Sequence, residues 1–173
     1  MRAAEARSVG RHEIDHTQIF SLLAELALAL GGFTGVAAAF GGRDRTFTIA
    51  ERTRLITIFL SAGGALAGSL CVLTFASADA LATSAFVWAS ALGATSQLLH
   101  LLIIPRAYRL AIDPKASTVG STLALLVVYV AVSLGLLLVN AIVWREAWPL
   151  VAAFSVQLVW GLWAFSRILT QRD

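Results

Sequence analysis

The sequence predicts an all-α integral membrane protein, a bundle of five transmembrane helices, on two observations. First, 58% of the residues are hydrophobic and only 13% are charged, whereas soluble domains carry about 25% charged residues. Second, the charges are segregated. Only Glu25 lies between residues 16 and 42, and none lies in 55–78, 80–105, 116–144 or 147–166. Each stretch approaches or exceeds the ~20 residues that a helix needs to cross a bilayer core.

We therefore expect one transmembrane helical domain, residues 18–170, preceded by a polar tail, residues 1–17. Helix 1 is expected at 18–40. Helix 2 is expected at 49–77, and it begins before its apolar part because Thr48 and Glu51 have the spacing of a capping box.

Helix 3 is expected at 80–104, with Asp79 as its N-cap and Pro105 marking its end, since the residue before a proline disfavours helical dihedrals. Helix 4 is expected at 114–144, because Asp113 and Pro114 supply an N-cap and a first-turn proline.

Helix 5 is expected at 149–169, opened in the same way by Pro149. Two other interpretations of residues 1–40 stay open. In one, Ala37-Ala38-Ala39 is the cleavage site of a secretory signal, although the apolar stretch is long for one. In the other, helix 1 is interfacial or re-entrant, and four helices span the membrane.

The distribution of Lys and Arg predicts the orientation. Two connections are longer and basic, and with the C-terminus they place nine basic residues on one side of the membrane: Arg43, Arg45, Arg52, Arg54, Arg106, Arg109, Lys115, Arg167 and Arg172. The other side holds four: Arg2, Arg7, Arg11 and Arg145. By the positive-inside rule, the N-terminus is outside and the C-terminus is cytoplasmic.

The stretch HEIDH at residues 12–16 matches the H-E-x-x-H pattern, in which two histidines one helical turn apart bind zinc and the glutamate activates its water. Here the pattern lies in a polar tail without an evident third ligand. We therefore interpret it as a chance match and predict no metal. A loose metal or proton-sensitive site formed by His12, Glu13 and His16 is the alternative.

No cofactor is expected either. The single cysteine, Cys71, allows neither a disulfide nor a cysteine-based metal site within one chain. His100 is the only histidine inside a predicted span, which argues against haem. No glycine-rich phosphate loop, paired carboxylates or nucleophile beside a base is present, so we do not expect an enzyme. The basic loops indicate orientation and not a nucleic-acid partner.

Small residues at helical spacing predict close helix packing, as in the G-x-x-x-G motif. The candidates are Gly31, Gly35, Gly64, Gly68 and Gly93.

Polar residues inside the spans are the candidates for a pore or solute path. On helix 4, rotation of 100° per residue brings four of them to one face: Thr122, Tyr129, Ser133 and Asn140. The others are Gln157 on helix 5, Gln97 and His100 on helix 3, and Glu25 on helix 1. Hydrogen bonding between helices is the alternative role of the neutral side chains.

A carboxylate inside a membrane is costly unless it is protonated, paired or hydrated. Glu25 is therefore expected to take part in a solute, ion or proton path, to pair for assembly, or to reach the outer interface. Glu25 and Asn140 are expected at the same depth, where a hydrogen bond between them is possible.

Glu25 to Gly35 reads E-L-A-L-A-L-G-G-F-T-G, and the sequence G-G-R-D-R and the Thr48 to Glu51 cap follow. This run resembles a pattern found in small, uncharacterised multi-pass proteins of bacterial inner membranes. The resemblance covers helices 1 and 2, and it implies a location but no activity.

The leading functional hypothesis is a homo-oligomeric channel-like or transport protein for an ion or small solute. One polar helix leaves little room for a pore in one chain, whereas several copies around an axis in the lipid bilayer can each contribute helix 4. Burial of its polar face in dry contacts would count against this arrangement. The alternative is a structural or accessory membrane subunit that docks a partner protein.

Overall fold

The structure is a computed structural model that describes residues 16–41, 46–77, 82–111 and 118–170. The five helices are α1 (His16–Gly41), α2 (Ile49–Ser77), α3 (Ala82–Ala111), α4 (Thr118–Val139) and α5 (Ala147–Thr170), and a π-turn, Asn140–Trp144, follows α4. No strand occurs among the described residues. Each of the five helices is long and apolar enough to cross a membrane, with candidate spans of 21 to 27 residues.

α1 is one continuous helix of 26 residues. Its length and composition suit a complete span, so nothing in its geometry favours the re-entrant interpretation.

The capping box predicted at the start of α2 is present. The backbone N–H of Thr48 donates to Oε2 of Glu51 at 2.9 Å, and the N–H of Glu51 donates to Oγ1 of Thr48 at 3.2 Å. Two amides that the first turn leaves without helical partners are thereby satisfied. Three further predicted helix-start residues lie outside the described residues: Asp79, Asp113 and Pro114.

Pro105 does not end α3, which continues through it to Ala111. This corrects the expected end at residue 104. A proline removes one hydrogen bond of the helix and crowds the preceding turn, but neighbouring helices and local adjustment allow such residues inside membrane helices. Pro149 likewise lies inside the first turn of α5 and not at its first residue, since α5 begins at Ala147.

α4 ends through the π-turn, where Arg145 has φ 55° and ψ 43°. Its backbone N–H donates to the carbonyl oxygen of Asn140 at 2.9 Å. Among the described residues, Arg145 is the only non-glycine residue with positive φ. With this conformation the chain reverses within the two residues, Arg145 and Glu146, that separate the π-turn from α5.

α2 is the central helix of the bundle, since it packs against α1, α3 and α5. α4 packs against α3 and α5 on the far side. The outer surface of the bundle is apolar, with large side chains such as Leu28, Phe33, Ile142 and Val159 more than half exposed. A membrane would cover this surface with lipid.

Three of the five predicted packing glycines lie at close approaches between helices. A Cβ at Gly68 would overlap the ring of Phe154, and one at Gly93 would lie 2.9 Å from that ring. A Cβ at Gly64 would lie 2.5 Å from Oγ of Ser96. These glycines allow α2, α3 and α5 to approach one another.

Gly31 and Gly35 are different. A Cβ at either position would have no described atom within 4 Å. Among the described residues, therefore, no other helix packs closely against Gly31 or Gly35.

Candidate functional site

Polar side chains from four helices meet inside the bundle and form what we call the polar core. α2 contributes two of them, α3 three, α4 one and α5 two. They are Thr57, Ser61, Ser96, Gln97, His100, Tyr129, Gln157 and Trp160. All except Trp160 are buried. The four predicted solute-path residues Gln97, His100, Tyr129 and Gln157 are therefore brought together.

His100 connects α3 to α2. Its Nε2 lies 3.2 Å from the hydroxyl of Ser61 and 3.3 Å from the carbonyl oxygen of Thr57. Its Nδ1 lies 3.0 Å from the carbonyl oxygen of Ser96. Ser96 precedes His100 by four residues, so both face α2, and the Ser96 hydroxyl donates to the carbonyl oxygen of Leu60 at 2.7 Å.

Gln97 and Tyr129 connect α3 to α4. The side-chain N–H of Gln97 donates to the Tyr129 hydroxyl at 2.9 Å. The Ser61 hydroxyl lies near the same Tyr129 hydroxyl. The Tyr129 ring meets the His100 ring edge to face, with 5.9 Å between centroids. Side chains of α3 thus form hydrogen bonds with both α2 and α4.

Aromatic rings lead from this network along α5 to one end of the bundle. Tyr129 stacks on Trp160 with centroids 4.7 Å apart, and Trp160 stacks on Trp163 at 4.9 Å. The Arg167 guanidinium lies 5.5 Å above the Trp163 ring. Tyr129 and Trp160 also line an apolar groove on the outer face, so they form the wall between the polar core and lipid.

Several polar atoms of the core have no hydrogen-bond partner among the described residues. They are Gln97 Oε1, Trp160 Nε1, and both amide atoms of Gln157. Gln157 is 0% exposed. Its Oε1 would lie 2.9 Å from a Cβ at Gly64, so the amide is directed toward α2 in the middle of the bundle. Buried polar groups are normally hydrogen-bonded, and each exception needs an explanation.

The two ends of the polar core differ. Toward the Asn140 end, a layer of apolar packing closes it, where the Phe154 ring contacts Gly68 and Gly93 and Leu137 lies beside Gly93. Toward the other end lies a cleft of about 10 Å³, whose lining includes Arg54 and Thr57 of α2 and Trp160 of α5. That volume is close to the smallest that holds a water molecule.

Asn140 lies beyond the apolar layer and is bonded to the chain reversal. Its Nδ2 donates to Ser90 Oγ at 3.1 Å, and its Oδ1 accepts from the backbone N–H of Glu146 at 3.0 Å. Glu25 does not reach it. Glu25 is exposed on α1, where its Oε1 accepts from the Ser21 hydroxyl at 3.4 Å. The predicted Glu25–Asn140 pair was therefore wrong.

The polar face of α4 is directed inward. Tyr129 is 6% exposed, and Ser133 and Asn140 are 0% exposed. This burial counts against a pore that α4 lines at a symmetry axis. The backbone at Thr122 belongs to α4, but its side chain lies outside the described set, as do residues 12–15 of HEIDH. His16, the last residue of that motif, is exposed at the start of α1.

No protein-family model, curated protein or solved structure matches this chain. In the part of the chain that the structure describes, no group of three or more His, Cys, Asp or Glu side chains is placed to hold a metal ion.

The site also contains residues that are absent from the sequence-based candidates. Ser61 and Ser96 belong to small-residue stripes, which indicate packing equally well. Trp160 follows Gln157 by three residues and so shares its helix face, which is the signal that points to it. Sequence alone does not show that the polar faces of α2, α3, α4 and α5 point at one another.

Proposed function

We propose that the protein is a channel-like or transport protein of the bacterial inner membrane, which moves an ion or small polar solute through the polar core of each chain. The observation that supports this most is Gln157, whose amide is wholly buried and has no partner within the described chain. An unpaired amide in the membrane interior is costly, and polar groups at such depth are functional by default.

The position of the polar core also supports transport. It lies between a narrow cleft at the Arg54 end and the apolar layer around Phe154. A site that is closed on one side and nearly closed on the other resembles the occluded state of a protein that exposes a midplane site to each side in turn. In this proposal, separation of Phe154 from Gly68 and Gly93 opens the other side.

The core chemistry indicates the class of solute. Its described side chains are neutral amides, hydroxyls, an indole and an imidazole, and no carboxylate is among them. Such groups bind a small molecule by hydrogen bonds in both directions, with Gln97 Oε1 as an acceptor and Trp160 Nε1 as a donor. We therefore propose a small polar solute or an ion with a weakly held hydration shell.

Flux through the purified protein in liposomes tests this. We expect Gln157→Leu to lose flux, and Gln18→Leu, which changes an exposed glutamine of α1, to retain it. Equal flux from both variants, or none from the wild type over a panel of ions and small polar solutes, would contradict the proposal. Glu25→Gln separates two geometries, since it should matter only if copies share a pore with Glu25 at its mouth.

The orientation belongs to the same proposal. With the N-terminus outside and the C-terminus cytoplasmic, the Arg54 and Arg167 end is the cytoplasmic one. Single-cysteine labelling in a Cys71→Ser background checks this. In whole cells, the cysteine of Arg167→Cys should react with a membrane-impermeant thiol reagent only after permeabilisation. The cysteine of Trp148→Cys should react without permeabilisation.

The second candidate function is a structural or accessory subunit, and the open glycine face of α1 favours it. Gly31, Gly32 and Gly35 have free space where a side chain would be, and such a face suits close contact with another helix. Cysteine crosslinking at Gly35 distinguishes the partners. A crosslinked dimer supports the homo-oligomer that the sequence leads us to expect, whereas a crosslink to a different protein supports the accessory role.

A further inference from the structure

Both ring nitrogens of His100 face backbone carbonyl oxygens. Nδ1 lies 3.0 Å from the Ser96 oxygen and Nε2 lies 3.3 Å from the Thr57 oxygen. A carbonyl oxygen only accepts hydrogen bonds, so a nitrogen must carry a proton to bond with it. A neutral imidazole has one such proton and an imidazolium has two. The surroundings of this buried ring therefore supply an acceptor for each of two protons.

The neutral ring has one favourable arrangement here. If Nδ1 carries the proton, it donates to the Ser96 oxygen, and Nε2 accepts from the Ser61 hydroxyl at 3.2 Å. The reverse tautomer would set the lone pair of Nδ1 against the Ser96 oxygen. The Ser96 hydroxyl does not relieve this, because it donates to Leu60. Neutral His100 should accordingly be protonated at Nδ1.

The Ser61 hydroxyl then continues the chain of hydrogen bonds. While it donates to His100 it can accept from the nearby Tyr129 hydroxyl, and that hydroxyl accepts from the Gln97 amide. The hydrogen bonds then run in one direction, from the Gln97 N–H through Tyr129 and Ser61 to His100, and only Gln97 Oε1 is left without a partner among the described residues. Such a directed chain polarises along its length.

Proton uptake at Nε2 would reverse this direction. The new N–H can donate to the Thr57 oxygen, which is already in place, and the Ser61 hydroxyl must then turn toward Tyr129. Tyr129 in turn needs an acceptor for its own proton. Gln97 Oε1, which has no partner among the described residues, becomes that acceptor when the amide rotates.

Among the described residues, a cleft at the Arg54 end offers a route for the proton. Arg54 and Thr57 both line this cleft of about 10 Å³. His100 does not line it, but its Nε2 lies 3.3 Å from the carbonyl oxygen of Thr57. One water molecule in the cleft would bring a proton from the bundle end to Thr57, next to the ring. On the opposite side, the packing of Phe154 against Gly68 and Gly93 interrupts any polar path.

Each helix packed against the ring carries few charged or titratable side chains. α2 contributes Arg54 and Glu51, whose carboxylate accepts from Thr48 at the start of the helix, α4 contributes Tyr129 and α5 contributes Arg167, while Ser96 and Gln97 beside the ring on α3 are uncharged. The polar groups within hydrogen-bond distance of the ring are the Ser61 hydroxyl and the carbonyl oxygens of Thr57 and Ser96. The carbonyl dipoles of Thr57 and Ser96 are therefore the groups that balance an imidazolium.

We propose that His100 is a proton-binding site, reached through the cleft from the Arg54 end, and that a proton bound there reverses the hydrogen-bond chain ending at Gln97. The proton is the ligand of this site. Its binding changes the hydrogen bonds from His100 to Gln97, and so changes the groups that the polar core presents to a solute. The coupling of this proton to solute movement rests on the proposed function. Proton binding itself does not.

Nuclear magnetic resonance of the full chain in nanodiscs tests the first part. With ¹⁵N-labelled histidine and the substitutions His12→Gln and His16→Gln, His100 is the only histidine left. We expect Nδ1–H with bare Nε2 at high pH, and protons on both nitrogens at low pH, within a range of about 4 to 9 that brackets the ordinary ~6.5. An Nε2–H neutral tautomer, or one protonation state across the range, would overturn the proposal.

The side-chain amide signal of Gln97 tests the second part. It should change with the titration of His100 in the wild type and in Ser69→Ala, which removes another fully buried hydroxyl of α2. In Ser61→Ala, His100 should still titrate while Gln97 no longer responds. A Gln97 signal that ignores pH in the wild type, or follows it equally without Ser61, would refute the coupling.

The two proposals fail separately. Proton uptake at His100 without any solute flux in liposomes would support the proton site and contradict the transport function. Solute flux with a His100 ring that never changes its protonation state would support the transport function and contradict the proton site.

Discussion

The phenyl ring of Phe154 occupies the space that a side chain at Gly68 would need. A Cβ built at Gly68 would overlap the ring, and the same ring lies 2.9 Å from a Cβ built at Gly93. Phe154 is 0% exposed. One aromatic residue of α5 is thus held between glycines of α2 and α3, and it closes one side of the polar core.

Gly68→Ala should therefore destabilise the bundle by about 1 to 3 kcal/mol, the usual cost of excess volume in a packed interior. Gly63→Ala on the same helix is the matched control, because its Cβ would meet nothing within 4 Å. Thermal unfolding in detergent measures both. Equal stability of the two variants would mean that Phe154 has room to move away.

The Asn140 side chain should act together with Ser90, to which its Nδ2 donates at 3.1 Å. In a double-mutant cycle of Asn140→Ala and Ser90→Ala, we expect a coupling energy near the ~0.6 kcal/mol average of such bonds in membrane proteins. The pair Asn140→Ala and Ser69→Ala should be additive, since Ser69 has no hydrogen bond to Asn140. Zero coupling in the first cycle would show that the bond contributes nothing.

The membrane as a solvent explains why the helices could be predicted from the sequence. Long charge-free stretches have few alternatives to a helix in a membrane, so the five apolar helices are evident from composition and charge spacing alone. The Thr48 cap was also predicted correctly, because it depends on two residues within one turn. The Pro105 prediction was wrong, since a local rule about proline was overridden by the helix packing around it.

The candidate site depends on contacts between helices, which local patterns do not encode. The polar face of α4 was identified, but its partners were not. Asn140 was paired with Glu25 because both were expected at one depth, whereas Asn140 instead bonds the chain reversal and Ser90. Depth follows from counting residues along a helix. The rotation of one helix relative to another does not.

The Thr48 cap should make a measurable contribution to the stability of the protein. Thr48→Ala removes the hydroxyl that accepts from the N–H of Glu51 at 3.2 Å, and it should cost about 1 kcal/mol. Thr48→Ser keeps the acceptor and should retain most of the stability. Chemical unfolding in mixed detergent micelles compares the three proteins, and an Ala variant as stable as the Ser variant would exclude a role for the cap.

Arg145 holds a conformation that side chains with a Cβ disfavour, with φ 55°. Arg145→Gly should relieve about 1 kcal/mol of strain, more than the added freedom of the unfolded chain costs, and so stabilise the connection between α4 and α5. Arg145→Val should destabilise it, because a β-branched side chain is a poor fit to this region. Thermal unfolding should rank the proteins Gly, Arg, Val. A Val variant as stable as the wild type would mean that the reversal adopts another conformation in the membrane.

Gln157 gives a prediction in which stability and activity move in opposite directions. Both atoms of its amide are buried without a described partner, and such groups carry a desolvation penalty of about 1 to 3 kcal/mol. Gln157→Leu, of similar volume, should therefore raise the unfolding free energy by about that amount while it removes solute flux. Gln97→Leu is the comparison, because it breaks a bond of 2.9 Å to Tyr129 and should gain less or lose stability. If Gln157→Leu were instead the less stable of the two, the amide would have to be hydrogen-bonded in the membrane, and its role would be structural.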